Sequence, residues 1–353
     1  MSLVVGCAVR CIRLVFFARL FVPLTTSKVL SLGKTQINLV FRSLIRTSDY
    51  VESRLHLGNK NKKKSFCFVF HSVCTTFAGM KQVRPKKNLG QHFLTDLSIA
   101  KRIADTVDEP YADLPVLEVG PGMGVMTQYL VEKPRPLKVV EIDRESVAYL
   151  NENFPKLREN ILGADFLRMD LQQVFDGLQF VLTGNYPYDI SSQIFFKMLD
   201  NRDLIPCCTG MIQHEVAVRM AAKPGNKQYG ILSVLIQAWY NVEYLFTVEP
   251  SVFNPPPKVQ SAVIRMTRNE VQHLGCDEQL FKRLVKTVFN QRRKMLRVSL
   301  KQLLSAEDIA ALNSHLSTVN SQLSLSLRPE QLTIAQFVEL TNAIKTLCAD
   351  TDN

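Results

Sequence analysis

Val116-Leu117-Glu118-Val119-Gly120-Pro121-Gly122-Met123-Gly124 decides the fold. Four residues with strand character run into three alternating glycines, and a segment with helical spacing, Val125–Val131, follows. Glycine permits the tight turn and lets a ligand approach the main chain closely. Twenty-one residues after Gly120, Glu141 ends a second apolar stretch, Lys138–Ile142. A carboxylate at that offset can accept hydrogen bonds from both hydroxyls of a ribose. Gly120, Gly122 and Glu141 therefore read as a nucleoside site at the carboxyl edge of a sheet, with a plain strand–turn–helix as the alternative.

The same alternation extends in both directions. Strands are expected at Phe180–Thr183, Gly210–Gln213 and Val259–Met266, with helices at Arg144–Asn153 and Ser191–Leu199. Strand–helix alternation implies an α/β fold with a mostly parallel sheet covered by helices. Beyond Thr267–Cys276 the spacing turns helical, through Leu280, Leu284, Val285, Val288 and Phe289, and later Ile334, Phe337, Val338 and Leu340. A domain boundary is expected there, giving residues 80–268 and a small all-helical domain at 276–347.

The nucleoside is narrowed by the glycine spacing. A dinucleotide site calls for G-x-G-x-x-G, and the third position is Val125. S-adenosylmethionine has no phosphate to cradle and fits G-x-G-x-G as well. Asp165, after Ile161-Leu162-Gly163-Ala164, ends another short strand where a carboxylate could accept from an adenine amino group. Its alternative is an ordinary turn aspartate.

Phe180-Val181-Leu182-Thr183-Gly184 leads into Asn185-Tyr186-Pro187-Tyr188. An exocyclic amine on a purine is a poor nucleophile because its lone pair is delocalised into the ring. The Asn185 side-chain oxygen and the Tyr186 carbonyl could accept its two N–H bonds and turn the lone pair toward a methyl group. Pro187 shapes the turn, and Tyr188 could stack on the base for about 1–3 kcal/mol. Positioning then carries catalysis without a strong general base.

These motifs together resemble the rRNA adenine dimethyltransferase family, from Lys81 to about Thr346. The likeness also rests on Asn88-Leu89-Gly90-Gln91-His92-Phe93-Leu94, Gln213-His214-Glu215-Val216, Lys223-Pro224-Gly225, Phe253-Asn254-Pro255-Pro256-Pro257-Lys258-Val259-Gln260-Ser261 and Phe289-Asn290-Gln291-Arg292-Arg293-Lys294. The resemblance implies a Rossmann-like class I S-adenosylmethionine-dependent sheet and donor contacts at His92, Leu94, Gly120, Glu141, Asp165 and Asn185. It implies N6,N6-dimethylation of two adjacent adenines near the 3′ end of small-subunit rRNA, on the pre-ribosomal small subunit. No metal is implied. The sequence departs from the family in two places: His92 stands where Asn is usual, and Tyr186 where Leu is usual. The rivals are a large-subunit rRNA methyltransferase conferring macrolide resistance, a non-catalytic assembly or mitochondrial transcription factor, and a nicotinamide oxidoreductase.

The chain has 353 residues, 43 Lys+Arg against 32 Asp+Glu, and a mean hydropathy of +0.01. No apolar run reaches the roughly 18 residues that span a bilayer. Eight cysteines form no C-x-x-C pair, which disfavours a zinc site or a disulfide scaffold. The net charge of +11 is uneven, since residues 1–79 hold twelve Lys/Arg and two acids. Residues 80–353 hold 31 Lys/Arg and 30 acids, so the total says nothing about nucleic acid. Residues 1–79 match none of the motifs. They are expected to be non-native or disordered sequence upstream of Met80, with a mitochondrial presequence as the lesser reading. Cytoplasmic location and a monomer are expected otherwise.

The residues most suited to RNA are local. Phe281–Leu304 carries Lys282, Arg283, Lys286, Arg292, Arg293, Lys294, Arg297 and Lys301 with no acid, a pattern suited to tracking phosphates. Lys223 and Lys227 flank Gly225 on a loop expected near the acceptor, and Lys81, Arg84, Lys86 and Lys87 precede the donor site. Neutralising Arg292, Arg293 and Lys294 is expected to weaken binding and flatten its salt dependence.

Overall fold

The computed structural model describes Lys86, residues 91–318 and residues 322–351, all within one unit, Val83–Asn353. The expectations for residues 1–79, and for Lys81, Arg84 and Lys87, lie outside the described residues.

β1 (Phe93–Leu94) is followed by α1 (Leu97–Asp105), whose N-terminus is capped by Asp96 Oδ1 accepting from Ser98 N at 2.8 Å. β2 (Val116–Val119), α2 (Thr127–Leu130), β3 (Leu137–Val140), α3 (Arg144–Asn153) and β4 (Ile161–Leu162) come next. β5 (Val181–Asn185), α4 (Ser191–Asp200) and β6 (Cys207–Gln213) complete the parallel part. After α5 (His214–Ala221) and α6 (Ile231–Gln237), the chain adds β7 (Tyr240–Val248), β8 (Phe253–Asn254) and β9 (Ser261–Arg268). The seven-stranded sheet runs β4-β3-β2-β5-β6-β9-β7, parallel from β4 to β6 and antiparallel at β9 and β7. β1 and β8 pair separately, Phe93 with Asn254 and Leu94 with Phe253.

The parallel strands are buried on both faces, which is why they read as apolar runs and not as alternation. The strand order reverses between β2, whose other neighbour is β3, and β5, which leads outward to β6. Their C-terminal ends, Val119-Gly120 and Gly184-Asn185, therefore flank the crevice where open α/β sheets bind ligands.

At Gly210 the backbone turns its missing side chain toward β5. A Cβ on Gly210 would lie 2.3 Å from the Gly184 carbonyl oxygen and 2.7 Å from the Tyr186 ring, and Gly210 has φ +148°. Gly210→Ala must push β6 off β5 at the strand that carries Asn185. It is expected to destabilise the protein by about 3 kcal/mol, read by denaturant unfolding.

Past the sheet, α7 (Glu278–Asn290) is capped by Asp277 and buries Phe281, Leu284, Val285, Val288 and Phe289. α8 (Leu296–Ser299), α9 (Ala306–Thr318) and α10 (Ile334–Thr351) follow. The Trp239 indole meets Phe281 edge-on at 6.0 Å, and Phe289 packs against Tyr229 and Phe337. One hydrophobic core thus continues from Leu117 of the sheet to Ile344 of α10. Among the described residues no helix is long and apolar enough to cross a membrane.

Candidate active site

A cleft of about 270 Å³ opens at the crevice between β2 and β5. Its walls bring together His92, Leu94, Gly120, Gly122, Glu141, Asp165 and the whole Asn185–Tyr188 run. The glycine turn takes the conformation that its residues imply, with φ of +67°, +56° and +76° at Gly120, Gly122 and Gly124.

Glu141 ties this turn to the next strand. It is 4% exposed; Oε2 accepts from Gly122 N at 3.0 Å and Oε1 from Asp143 N at 2.9 Å. Burial pushes its pKa up, and those two N–H groups oppose the shift. Each oxygen keeps a lone pair for a ribose hydroxyl. Asp143 caps α3 and takes Lys86 Nζ at 2.5 Å, so Lys86 supports the donor side from behind. Asp165 caps a short turn through Leu167 N at 2.9 Å, and its other oxygen lies 3.4 Å from Arg168.

Four carboxyl groups line the cleft, those of Glu118, Glu141, Asp165 and Asp189, with no lysine or arginine among the described lining residues. A dinucleotide's diphosphate would meet no cationic side chain there and would face the carboxyl groups of Glu141, Asp165 and Asp189. A sulfonium ligand meets complementary charge, and Ile142, 55% exposed, offers an apolar wall for a flat ring. These residues fit S-adenosylmethionine.

On the acceptor side, Asn185 Nδ2 donates to the His92 carbonyl at 3.2 Å. That bond fixes the amide, so Oδ1 remains the free acceptor. Tyr186 is 1% exposed: its N–H donates to Met211 O at 3.0 Å and its hydroxyl to Thr209 O at 3.0 Å. Its ring fills the space left by Gly184 and Gly210, which explains how Tyr is accommodated here while the residue still lines the cleft. Tyr188 Oη lies 2.5 Å from Ser261 Oγ, and its ring stacks on His92 with centroids 5.6 Å apart at 26°. His92 in turn donates from Nδ1 to Pro255 O at 2.8 Å.

The family model described as ribosomal RNA adenine dimethylase matches residues 82–345. The chain belongs to this family. The ribosomal RNA small subunit methyltransferase A of Bacteroides fragilis is 65% identical over 266 residues, covering 75% of this chain and 94% of that protein. The Flavobacterium johnsoniae protein of the same name is 52% identical, covering 75% and 98%. Among solved structures, a dimethyladenosine transferase from Plasmodium falciparum superposes with a TM-score of 0.58 at 23% identity, over 73% of this chain and 98% of that one. The 23S rRNA methyltransferase ErmE gives 0.51 at 27%, over 71% and 99%. As a member of the rRNA adenine dimethylase family, the chain is a methyltransferase with S-adenosylmethionine as its methyl donor.

The basic residues divide. Lys223, Lys227, Arg293, Lys294 and Arg297 are exposed, with no side-chain ion pair among the described residues. Arg292 differs. Its Nε donates to Glu330 Oε2 at 2.8 Å and Nη2 to Asn226 O at 3.3 Å. Lys282 is likewise paired, with Asp200 at 2.7 Å.

Sequence reasoning missed Ser261, the Pro255 carbonyl and Glu118. Ser261 ends the Phe253–Ser261 segment, and nothing in the sequence marks it as the partner of Tyr188. Glu118 carried a signal, being an acid in an otherwise apolar strand. It is 1% exposed and accepts from Thr127 Oγ1 at 2.7 Å. Burial, reinforced by the Glu141 charge and opposed by the Thr127 hydroxyl, pushes its pKa up to about 8 from 4.5. A carboxyl raised on folding imposes no penalty below the unfolded value of 4.5, and a growing one as pH climbs toward 8. Glu118→Gln is therefore expected to melt level with the wild type near pH 4.5 and increasingly above it by pH 8, without donor. Thermal melts across that range check this.

Proposed function

We propose that this chain transfers methyl groups from S-adenosylmethionine to N6 of two adjacent adenines in the 3′-terminal hairpin of small-subunit (16S) rRNA during ribosome biogenesis. The single observation that carries the reading is the Asn185 amide, held by the His92 carbonyl with Oδ1 free at the mouth of an acidic cleft. The names of the relatives at 52–65% identity support the small-subunit target over the large-subunit alternative. The intact Asn185–Tyr188 run favours an enzyme over a binding factor.

The donor supplies a methyl group made electrophilic by its sulfonium centre. Asn185 Oδ1 and the Tyr186 carbonyl accept the two amine N–H bonds and rotate the nitrogen lone pair out of the purine plane. Tyr188, held by Ser261 and His92, stacks on the extruded base. Glu141 and the glycine turn hold the ribose, Asp165 takes the adenine amino group, and His92 and Leu94 border the donor's methionine end. Oriented contact carries the catalysis, and the amine releases its proton to solvent after the transfer.

The division into a methyltransferase domain at 80–268 and a helical RNA-binding domain at 276–347 belongs to this reading, with Lys223, Lys227, Arg293, Lys294 and Arg297 toward RNA. So do a monomer acting in the bacterial cytoplasm and independence from membranes. Primer extension on both rRNAs, in cells lacking the gene and complemented with it, tests the target. Stops restored at paired adenines of the small-subunit hairpin are expected; stops restored only in the large-subunit rRNA would overturn the assignment.

A further inference from the structure

Three segments far apart in sequence meet beside the exposed basic residues. The loop after α5, at 223–230, reaches the turn after α7 and the stretch before α10. Gly225 N donates to the Glu330 carbonyl at 2.7 Å, and Arg292 bridges from Glu330 Oε2 to Asn226 O. The start of α8, just past that turn, is stitched to the same stretch, by Leu296 N to Leu327 O at 2.8 Å and Arg297 N to Leu325 O at 3.0 Å.

Glu330 is a carboxylate on a surface otherwise suited to binding phosphates, where it would repel them. Its presence makes sense if it does something for the surface that outweighs its charge. The Arg292 and Glu330 side chains are only 33% and 26% exposed, in contrast to their free neighbours. A guanidinium presents a planar fork of donors, which suits it to hold a carboxylate and a carbonyl at once.

We propose that Arg292 is a positioning residue: with Glu330 it clamps the Lys223–Lys227 loop to the C-terminal helical segment, setting where the two lysines stand relative to Arg293, Lys294 and Arg297. Arg292 itself does not contact RNA phosphate. The inference rests on the rRNA reading above for the role of those cations, while the clamp is a property of the protein alone. It separates Arg292 from the run of eight basic residues with which the sequence groups it.

The clamp and the phosphate-contact reading predict opposite signs. Glu330→Ala removes a negative charge from the RNA-facing side, so simple electrostatics calls for tighter binding. Loss of the clamp calls for poorer methylation. The full chain, as wild type, Arg292→Gln, Glu330→Ala, Arg293→Gln and the exchange Arg292→Glu/Glu330→Arg, is assayed on unmodified small subunits. Affinity is measured across salt concentrations, and hydrogen exchange is followed at the Gly225 amide. A single ion pair that is still partly open to solvent contributes modestly to global stability, so each variant should fold, and a thermal melt of each verifies it.

Arg292→Gln and Glu330→Ala are each expected to lower kcat/KM by about fivefold to tenfold, toward the lower end of what coupled contacts contribute. Both should speed exchange at Gly225 and leave the salt slope of binding unchanged. Arg293→Gln should reduce that slope by about 0.7–0.9, and the charge exchange should recover most of the lost rate. A slope for Arg292→Gln that falls like that of Arg293→Gln, or tighter binding with undiminished kcat/KM for Glu330→Ala, overturns the proposal. Wild type that labels no rRNA refutes the functional reading instead; exchange at Gly225 still decides the clamp, and unchanged exchange in both single variants refutes it.

Discussion

Asn185→Ala is expected to lower methyl transfer by about 10²–10³-fold at saturating donor and RNA, the scale set by removing one preorganised polar group from a reacting centre. The side chain lost is the one whose orientation the fold specifies. Nδ2 is committed to the His92 carbonyl, so the oxygen facing the cleft is the acceptor. Without it the Tyr186 carbonyl alone holds the amine, which can rotate back into conjugation with the ring. The main chain at 186 stays in place, through Tyr186 N to Met211 O and the buried phenol to Thr209 O. The loss should therefore fall on kcat, with RNA affinity retained. Single-turnover transfer of labelled methyl groups to unmodified small subunits reads it.

Glu141→Gln should have the complementary effect, about 100-fold weaker donor binding with most of kcat recovered at high donor concentration. Both carboxylate oxygens already accept main-chain N–H bonds, from Gly122 and Asp143. An amide of the same shape must turn its NH2 against one of those donors, in a site only 4% exposed. The NH2 that replaces one oxygen also cannot accept from a ribose hydroxyl, so a hydrogen bond made only with the donor is lost, which costs about 2–3 kcal/mol of binding. The glycine turn, held to β3 through Gly122, loosens at the same time. Calorimetric titration with S-adenosylmethionine measures the change.

Much of this site is legible in the sequence because each part is local. The strand Val116–Val119 and its glycines are contiguous, Glu141 lies one strand–helix unit away, and Asn185–Tyr188 is a single turn. What the sequence concealed depends on burial or distance. α6 is buried through Ser233, Val234, Leu235 and Ile236, so it shows no amphipathic stripe and cannot be told from a strand. β7 has a register shift between Tyr244 and Phe246 that breaks period-two alternation. α2 is shorter than the Val125–Val131 spacing suggests, because the turn takes residues up to Met126.

Charge shows the same limit. An acid-free run from Phe281 to Leu304 looks uniform, yet Arg292 finds its carboxylate 38 residues away at Glu330. Lys282 finds one at Asp200, on a helix of the sheet layer. Conversely, the acidity of the cleft is invisible in a chain of net +11, since its four carboxylates come from four separate loops and strands.

The central claim is that the Asn185 oxygen and the Tyr186 carbonyl present an adenine N6 to the methyl donor. Its most direct test is mass spectrometry of small-subunit rRNA after incubation of unmodified subunits with labelled S-adenosylmethionine and either wild type or Asn185→Ala. The account predicts two neighbouring N6,N6-dimethyladenines with wild type and almost none with the variant. Label on a ribose or a ring carbon, or equal N6 labelling by the two proteins, would contradict it.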